Sequence, residues 1–337
     1  MCNKPTVIVI TPVRNEAWVL DAFLTCTSSW ADYIILADQH SDDGTREIAS
    51  RYEKVVLIDN PTQEWYEYLC RTRLLEEAAK LPGDNKLIFG LDADEFLSEG
   101  FEKTESWNRM MSSQGTQVFC FKWLNLYDDF YSVEFTDTYS DWAGHFDKSV
   151  DFVEEYKKRE NHAVHCARIP CLETNRCQYF VVDDFWVIHL AKLNHDRTCL
   201  KNIFYQVTWV DKNKEKANPI GMYRGSSKFY PESLSRLDSP IKLCCKGDSK
   251  DYSFLIKDSD YGKHYIKEML QVFERAGTDK FAKLCIWDNP YLIEAGIKPK
   301  IPLKYRILHG YLRKSQSKAE TKAIKLIDKI LKRLYRF

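Results

Sequence analysis

The apolar positions of the first hundred residues fall in short continuous runs rather than in strict alternation. Residues 7–10, 33–37, 55–58 and 87–91 are almost wholly apolar. Between them the spacing turns helical: Trp18, Leu20, Phe23 and Leu24 after Asn15-Glu16, then Ile48 and Tyr52, then a longer stretch over about 63–80. The order is β-α-β-α-β-α-β. Runs that are apolar on both faces, separated by helices, predict a parallel sheet covered on both sides. Right-handed crossovers bring the carboxyl ends of such strands to one rim, where open α/β sheets hold their ligands. Thr11-Pro12, Asp38 and Asp92 directly follow predicted strands, so they are expected together at that rim. Pro12 lacks an N–H and is expected to end the first ladder.

Past residue 100 the pattern is mixed. Strands are predicted over 118–124, 180–182 and 185–190, and helices over 197–209 and 261–276. Residues 125–180 show little periodicity and read as long loops. The resulting division is 1–210 for the α/β domain (1–98 and 99–210 as its halves), 211–297 for a helical and loop extension, and 298–337 for a tail. From Lys322 on, Ala323, Ile324, Ile327, Ile330, Leu331 and Leu334 recur at i, i+3, i+4 among Lys and Arg, which predicts an amphipathic basic helix.

Charge sharpens this division. The formal net charge is zero, yet Lys298 to Phe337 carries 13 Lys and Arg against Glu320 and Asp328, leaving −11 on the first 297 residues. An acidic body with a basic tail points to an anionic membrane surface, a partner or the body itself as the tail's contact. Nucleic acid is disfavoured, because aromatics are not interleaved with the basic run that starts at Lys322 and the body is acidic. Eleven Cys without a CxxC pair, no apolar run of spanning length and no secretory pattern suggest reduced thiols in the cytoplasm, with the inner membrane face as an alternative station. The spacing His162-x2-His165-Cys166-x4-Cys171-x5-Cys177 suits structural zinc poorly; His165 and Arg168 are weighed instead as acceptor-pocket residues.

Asp92-Ala93-Asp94 carries the chemistry. Two carboxylates at a strand end raise each other's pKa unless a cation sits nearby. Hard oxygen ligands suit Mn²⁺ or Mg²⁺. His189, after an apolar run, is the expected further ligand beside Asp94.

Three motifs then resemble family 2 glycosyltransferases: Thr11-Pro12-Val13-Arg14-Asn15-Glu16 is similar to their (T/V)PxxNE opening, Asp38-Gln39-His40-Ser41-Asp42-Asp43-Gly44-Thr45 to their DDGSTDGT loop, and Asp92-Ala93-Asp94 to the DxD motif. Arg71 sits near the arginine of the family's ARN segment, and His189, Arg197 and Lys201 are similar to an H…R…K pattern. The resemblance implies a GT-A nucleotide-sugar-binding fold and inverting transfer from a nucleotide-sugar donor, UDP-linked, to a glycan or lipid-linked acceptor. It implies Thr11 and Pro12 at the base, Glu16 at the ribose or base, Asp38 on a base N–H, Asp92 at the ribose, Arg71 at phosphate, and Asp94 with His189 at the metal. A general base is expected among Asp137, Asp141, Asp147 and Asp151, with Asp147 or Asp151 preferred. The competing readings are a catalytically silent scaffold, against which the paired acids argue, and a nucleotidyltransferase, which would carry a Gly-rich loop where Pro12-Val13-Arg14 stands.

Overall fold

In a computed structural model, residues 4–60, 67–113, 115–158, 166–170, 172, 177–212, 218–226, 230–243, 252–257 and 262–335 are described. The first elements are β1 (Thr6–Val13), α1 (Ala17–Ser28), β2 (Tyr33–Asp38), α2 (Thr45–Ala49), β3 (Val55–Asp59), α3 (Glu67–Lys80) and β4 (Lys86–Gly90). There follow β5 (Glu95–Leu97), α4 (Glu105–Ser112), β6 (Gln117–Phe121), β7 (Trp123–Leu126), β8 (Ser132–Phe135), β9 (Ser140–Phe146), α5 (Phe152–Lys157), β10 (Gln178–Val181) and β11 (Val187–His189). The remainder is α6 (His195–Lys212), α7 (Pro219–Ser226), β12 (Ser235–Arg236), α8 (Phe254–Lys257), α9 (Lys263–Ala276), α10 (Pro290–Glu294), α11 (Leu303–Ser315) and α12 (Lys322–Leu334).

The chain divides into two compact units: Met1–Leu193 with Ser233–Lys257, and Asn194–Glu232 with Asp258–Phe337. The boundary thus falls before α6 rather than at residue 210, and the tail is part of the second unit. The first unit is mixed α/β. Its main sheet has the order β10-β6-β9-β4-β1-β2-β3. All its pairings are parallel except those of β9, which runs antiparallel to β4 and β6. A second sheet has the order β12-β8-β7-β11-β5.

The continuous apolar runs are explained by burial on both faces. Val7, Val9, Ile34, Leu36, Leu87 and Phe89 face the cluster that holds Val19, Leu20, Phe23 and Leu24 of α1. Their neighbours Ile8, Ile10, Ile35, Ala37 and Ile88 face Cys70, Leu74, Leu75 and Ala78 of α3. Side chains alternate across a strand, so both sets must be apolar.

Two expectations are corrected. β1 does not stop at Pro12 but continues to Val13, with Pro12 opposite Ala37 and Val13 opposite Asp38. The even-numbered residues of β1 bond towards β4, as Thr6 N does to Asn85 O at 2.9 Å, and β4 ends opposite Ile10. Pro12 therefore lacks an N–H where no ladder partner remains. Nor is 125–180 a loop region: β8, β9 and α5 lie within it. β9 is masked in the sequence by Gly144, where a Cβ would stand 2.5 Å from the Phe146 ring as that ring is placed.

The second unit is helical. Leu200, Val207, Met269, Phe273, Phe281 and Leu292 form one core, and Ile220, Cys285, Leu308 and Leu312 another. Among the described residues no helix is long and apolar enough to cross a membrane. Cys26 is disulfide-bonded, which departs from the all-thiol expectation, whereas Cys70, Cys120, Cys166, Cys177, Cys199 and Cys285 remain thiols.

Candidate functional site

The carboxyl ends of β1 to β4 bring Thr11, Pro12, Asp38 and Asp92 to one rim. The loops after β1 and β2 are tied to each other by side chains reaching backbone N–H groups. Asn15 N donates to Ser41 Oγ (2.9 Å), Asp42 N to Asn15 Oδ1 (2.9 Å), Glu16 N to Thr45 Oγ1 (2.9 Å) and Ala17 N to Asp43 Oδ2 (3.0 Å). This is why the two motifs contain Asn, Ser, Asp and Thr: short polar side chains satisfy loop backbone that no ladder reaches. Asn15 holds a left-handed φ of 55°, which Asn tolerates better than most residues.

Asp38 is 1 % exposed. Its Oδ2 accepts from Arg46 Nη1 at 2.8 Å, and Oδ1 is buried with no partner. Thr11 Oγ1 is likewise buried and unsatisfied. A buried acceptor without a donor costs about 1–3 kcal/mol, so an orphan at a ligand rim calls for one supplied from outside. Glu16 is half-buried, and its Oε2 accepts from Trp18 Nε1 at 2.6 Å.

Asp92, Ala93 and Asp94 form a turn rather than an extended segment, with Glu95 N bonded to Asp92 O at 3.0 Å. Asp92 is fixed by two arginines. Arg71 Nη2 donates to Oδ1 at 2.8 Å and Arg168 Nη2 to Oδ2 at 2.9 Å. Burial would push the Asp92 carboxyl up, but Arg168 and Arg71 outweigh it and hold it well below the usual carboxylate range. Arg71, expected at phosphate, is itself buried at 1 % exposure and serves to anchor Asp92.

Arg168 also bonds Glu95, through Nη1 to Oε2 and through Nη2 to Oε1. Burial pushes the Glu95 carboxyl up, to about 7, against the pull of Arg168. Burial opposes the Arg168 charge, but Asp92 and Glu95 prevail and raise its pKa. Gly90 permits this arrangement: a Cβ there would lie 2.8 Å from Arg168 Cβ and 3.0 Å from its carbonyl.

The second sheet brings up the remaining groups. β11 pairs with β5 and β7, setting His189 opposite both Glu95 and Asn125. His189 Nε2 lies 3.9 Å from Asp94 Oδ2. Its ring stacks on Trp123 at 4.7 Å between centroids. Asn125 Nδ2 donates to Glu134 Oε2 at 3.1 Å, which turns Asn125 Oδ1 towards His189 Nδ1 at 2.9 Å. Nδ1 must then carry the proton. In neutral imidazole, Nε2 is the acceptor and faces a carboxylate. With the ring neutral, two acceptors face each other and can share a cation; with the ring protonated, the same contact is an ion pair. A spacing of 3.9 Å is slightly under twice a metal–oxygen bond of about 2.1 Å, so a divalent ion fits between the pair. Among the described residues no group of three or more His, Cys, Asp or Glu could hold an ion, so the pair would leave most of its coordination to ligand and water.

Asp147 and Asp151 are not brought to this site. β9 is antiparallel, with Phe146 opposite Lys86 at the start of β4, so Asp147 emerges at the amino-end rim. There it lines a shallow depression with Lys4, Thr6, Gly83, Asp84 and Asn85. Its Oδ1 accepts from Ser149 N at 2.8 Å. Asp151 caps α5 by accepting from Glu154 N at 3.1 Å. Asp141 lies opposite Cys120 near the other end of β9, and Asp137 precedes that strand at the same end. Arg197 and Lys201 fall on α6 of the helical unit. His162, His165 and Cys171 lie outside the described residues. The sequence reading missed Glu95, Asn125 and Glu134, and it gave Arg168 a different part. Glu95 had a signal, since it directly follows the acidic motif; the others sit in no local pattern.

No family model and no curated protein matches the chain. Among solved structures it is similar to HddC from Yersinia pseudotuberculosis (10 % identity, 55 % of this chain and 93 % of that one, TM-score 0.34). It is also similar to 4-diphosphocytidyl-2C-methyl-D-erythritol synthase from Anaerococcus prevotii (16 % identity, 53 % and 90 %, TM-score 0.32). A third similarity is to mannosyl-3-phosphoglycerate synthase from Rubrobacter xylanophilus (18 % identity, 37 % and 41 %, TM-score 0.26).

Proposed function

We propose that the chain is a metal-assisted glycosyltransferase of GT-A type that uses a nucleotide-diphosphate sugar, with uracil as its base. The observation that carries this reading is the pair Asp94 Oδ2 and His189 Nε2, a carboxylate oxygen and an imidazole nitrogen 3.9 Å apart. Mn²⁺ or Mg²⁺ held there would neutralise charge on a departing diphosphate. The chain's own groups do the rest. Asp38 Oδ1, buried and unpartnered, accepts the base N–H. Thr11 and Pro12 wall the base. Asp92, immobilised by Arg71 and Arg168, presents an acceptor at the ribose that those arginines keep charged at neutral pH. Asn125 and Glu134 hold the His189 ring with Nδ1 towards the amide oxygen and Nε2 on the side of Asp94. The acceptor is a glycan or lipid-linked hydroxyl, and transfer inverts the anomeric centre.

Incubation with UDP-sugars tests this. Slow release of UDP that requires Mn²⁺ and disappears in Asp94→Ala is the expected result. Release of pyrophosphate from a nucleoside triphosphate and a sugar phosphate, without UDP release, would replace this reading with nucleotidyl transfer.

A further inference from the structure

Helix α12 is apolar over a wider arc than the helical unit covers. Ile324, Asp328, Leu331 and Tyr335 recur at i, i+4, i+7 and i+11, the spacing of one helix face. This face is turned inward. Asp328 Oδ2 accepts from Arg224 Nε at 3.0 Å and Oδ1 from the Tyr311 hydroxyl at 2.7 Å. Leu331 and Tyr335 pack on the cluster of Ile220, Leu308 and Leu312.

A second apolar row lies beside the first and is uncovered. Leu326, Ile327, Ile330 and Leu334 are exposed by 60, 40, 52 and 72 %. Next to it run Lys322, Lys325, Lys329, Lys332 and Arg333. Asp328 is the only acid of α12 and is held by Arg224. Lys325 pairs with Glu320 at 2.8 Å; among the described residues the other four cations form no ion pair. Four large apolar side chains in water are unfavourable unless something removes them from it. The flanking charge is of one sign, so the covering surface is anionic. A protein core supplies the apolar part without the charge, whereas a phospholipid surface supplies acyl chains with phosphates directly above them.

We propose that α12 seats the protein on an anionic membrane surface, with Leu326, Ile330 and Leu334 inserted among acyl chains and Lys322, Lys329 and Arg333 at the headgroup phosphates. This goes beyond the transferase reading and does not depend on it.

Co-sedimentation of the full chain with phosphatidylcholine vesicles, with and without about one-third phosphatidylglycerol, tests it. Binding is expected only to the anionic vesicles and should weaken with salt. The triple substitution Lys322→Gln, Lys329→Gln, Arg333→Gln should weaken partitioning about a hundredfold, from roughly 1 kcal/mol per cation near the surface. Ile330→Asp should abolish it with the melting temperature unchanged, since that side chain is half exposed. No binding to anionic vesicles, or equal binding to both kinds, would overturn the proposal. Dimers in sedimentation velocity that dissociate in Ile330→Asp would assign the row to a second copy instead. UDP binding by the Ile330→Asp protein should be unaltered, which separates failure here from failure of the transferase reading.

Discussion

His189 Nδ1 is bonded to Asn125 Oδ1 at 2.9 Å, and this contact orients the opposite ring nitrogen towards Asp94. The orientation is set at a distance from any ion, because Glu134 dictates which way the Asn125 amide faces.

Asn125→Leu removes that bond while leaving Glu134 its Tyr127 hydroxyl at 2.7 Å. Mn²⁺ affinity, followed by calorimetry with UDP present, should fall about 10–100-fold. An unchanged Mn²⁺ affinity would show that the tautomer of His189 is irrelevant to the site.

The two arginines around Asp92 make stability depend on acid. Its folded pKa lies below the unfolded value of about 3.9, so the unfolded chain takes up the proton first as pH falls. The stabilisation is complete above about pH 5 and is lost progressively below the ordinary carboxylate range. Glu95 acts in a higher window and in the opposite sense: its contribution fades as pH rises from the ordinary range through about 7. Urea unfolding as a function of pH should show a steeper loss below pH ~4 in the wild type than in Asp92→Asn. Parallel acid limbs in the two proteins would refute the pairing.

Asp38 distinguishes bases. Uracil offers an N–H where cytosine has a bare ring nitrogen, so UDP should bind more tightly than CDP. Asp38→Ala should weaken UDP about tenfold, the worth of one hydrogen bond to a charged acceptor. Equal affinity for the two nucleotides would remove Asp38 from the base pocket.

The legible part of this protein is the part made by local rules. β1 to β4 and α1 to α3 follow from apolar runs buried on both faces, and the rim residues Thr11, Asp38 and Asp92 follow from where those runs stop. What escaped depends on pairing direction and distant contacts. Asp147 follows a strand just as Asp92 does, but β9 is antiparallel, and direction is invisible in a run of residues. Arg168 reaches Asp92 across 76 positions from an irregular segment, with its only local trace in the glycine at position 90. The boundary before α6 is hidden because one helical pattern spans residues 197–209 whichever unit it joins. An extended segment would point both acids of the motif the same way; the turn at residues 92–95 replaces that geometry, with Asp92 bonded to the two arginines and Asp94 3.9 Å from His189.

The most direct measurement is calorimetric titration of UDP into wild type, Asp94→Ala and His189→Ala, each with and without Mn²⁺. The account predicts tight binding by the wild type only when Mn²⁺ is present, and no Mn²⁺ effect in either variant although both remain folded. UDP affinity that is the same with and without the metal in the wild type would contradict it.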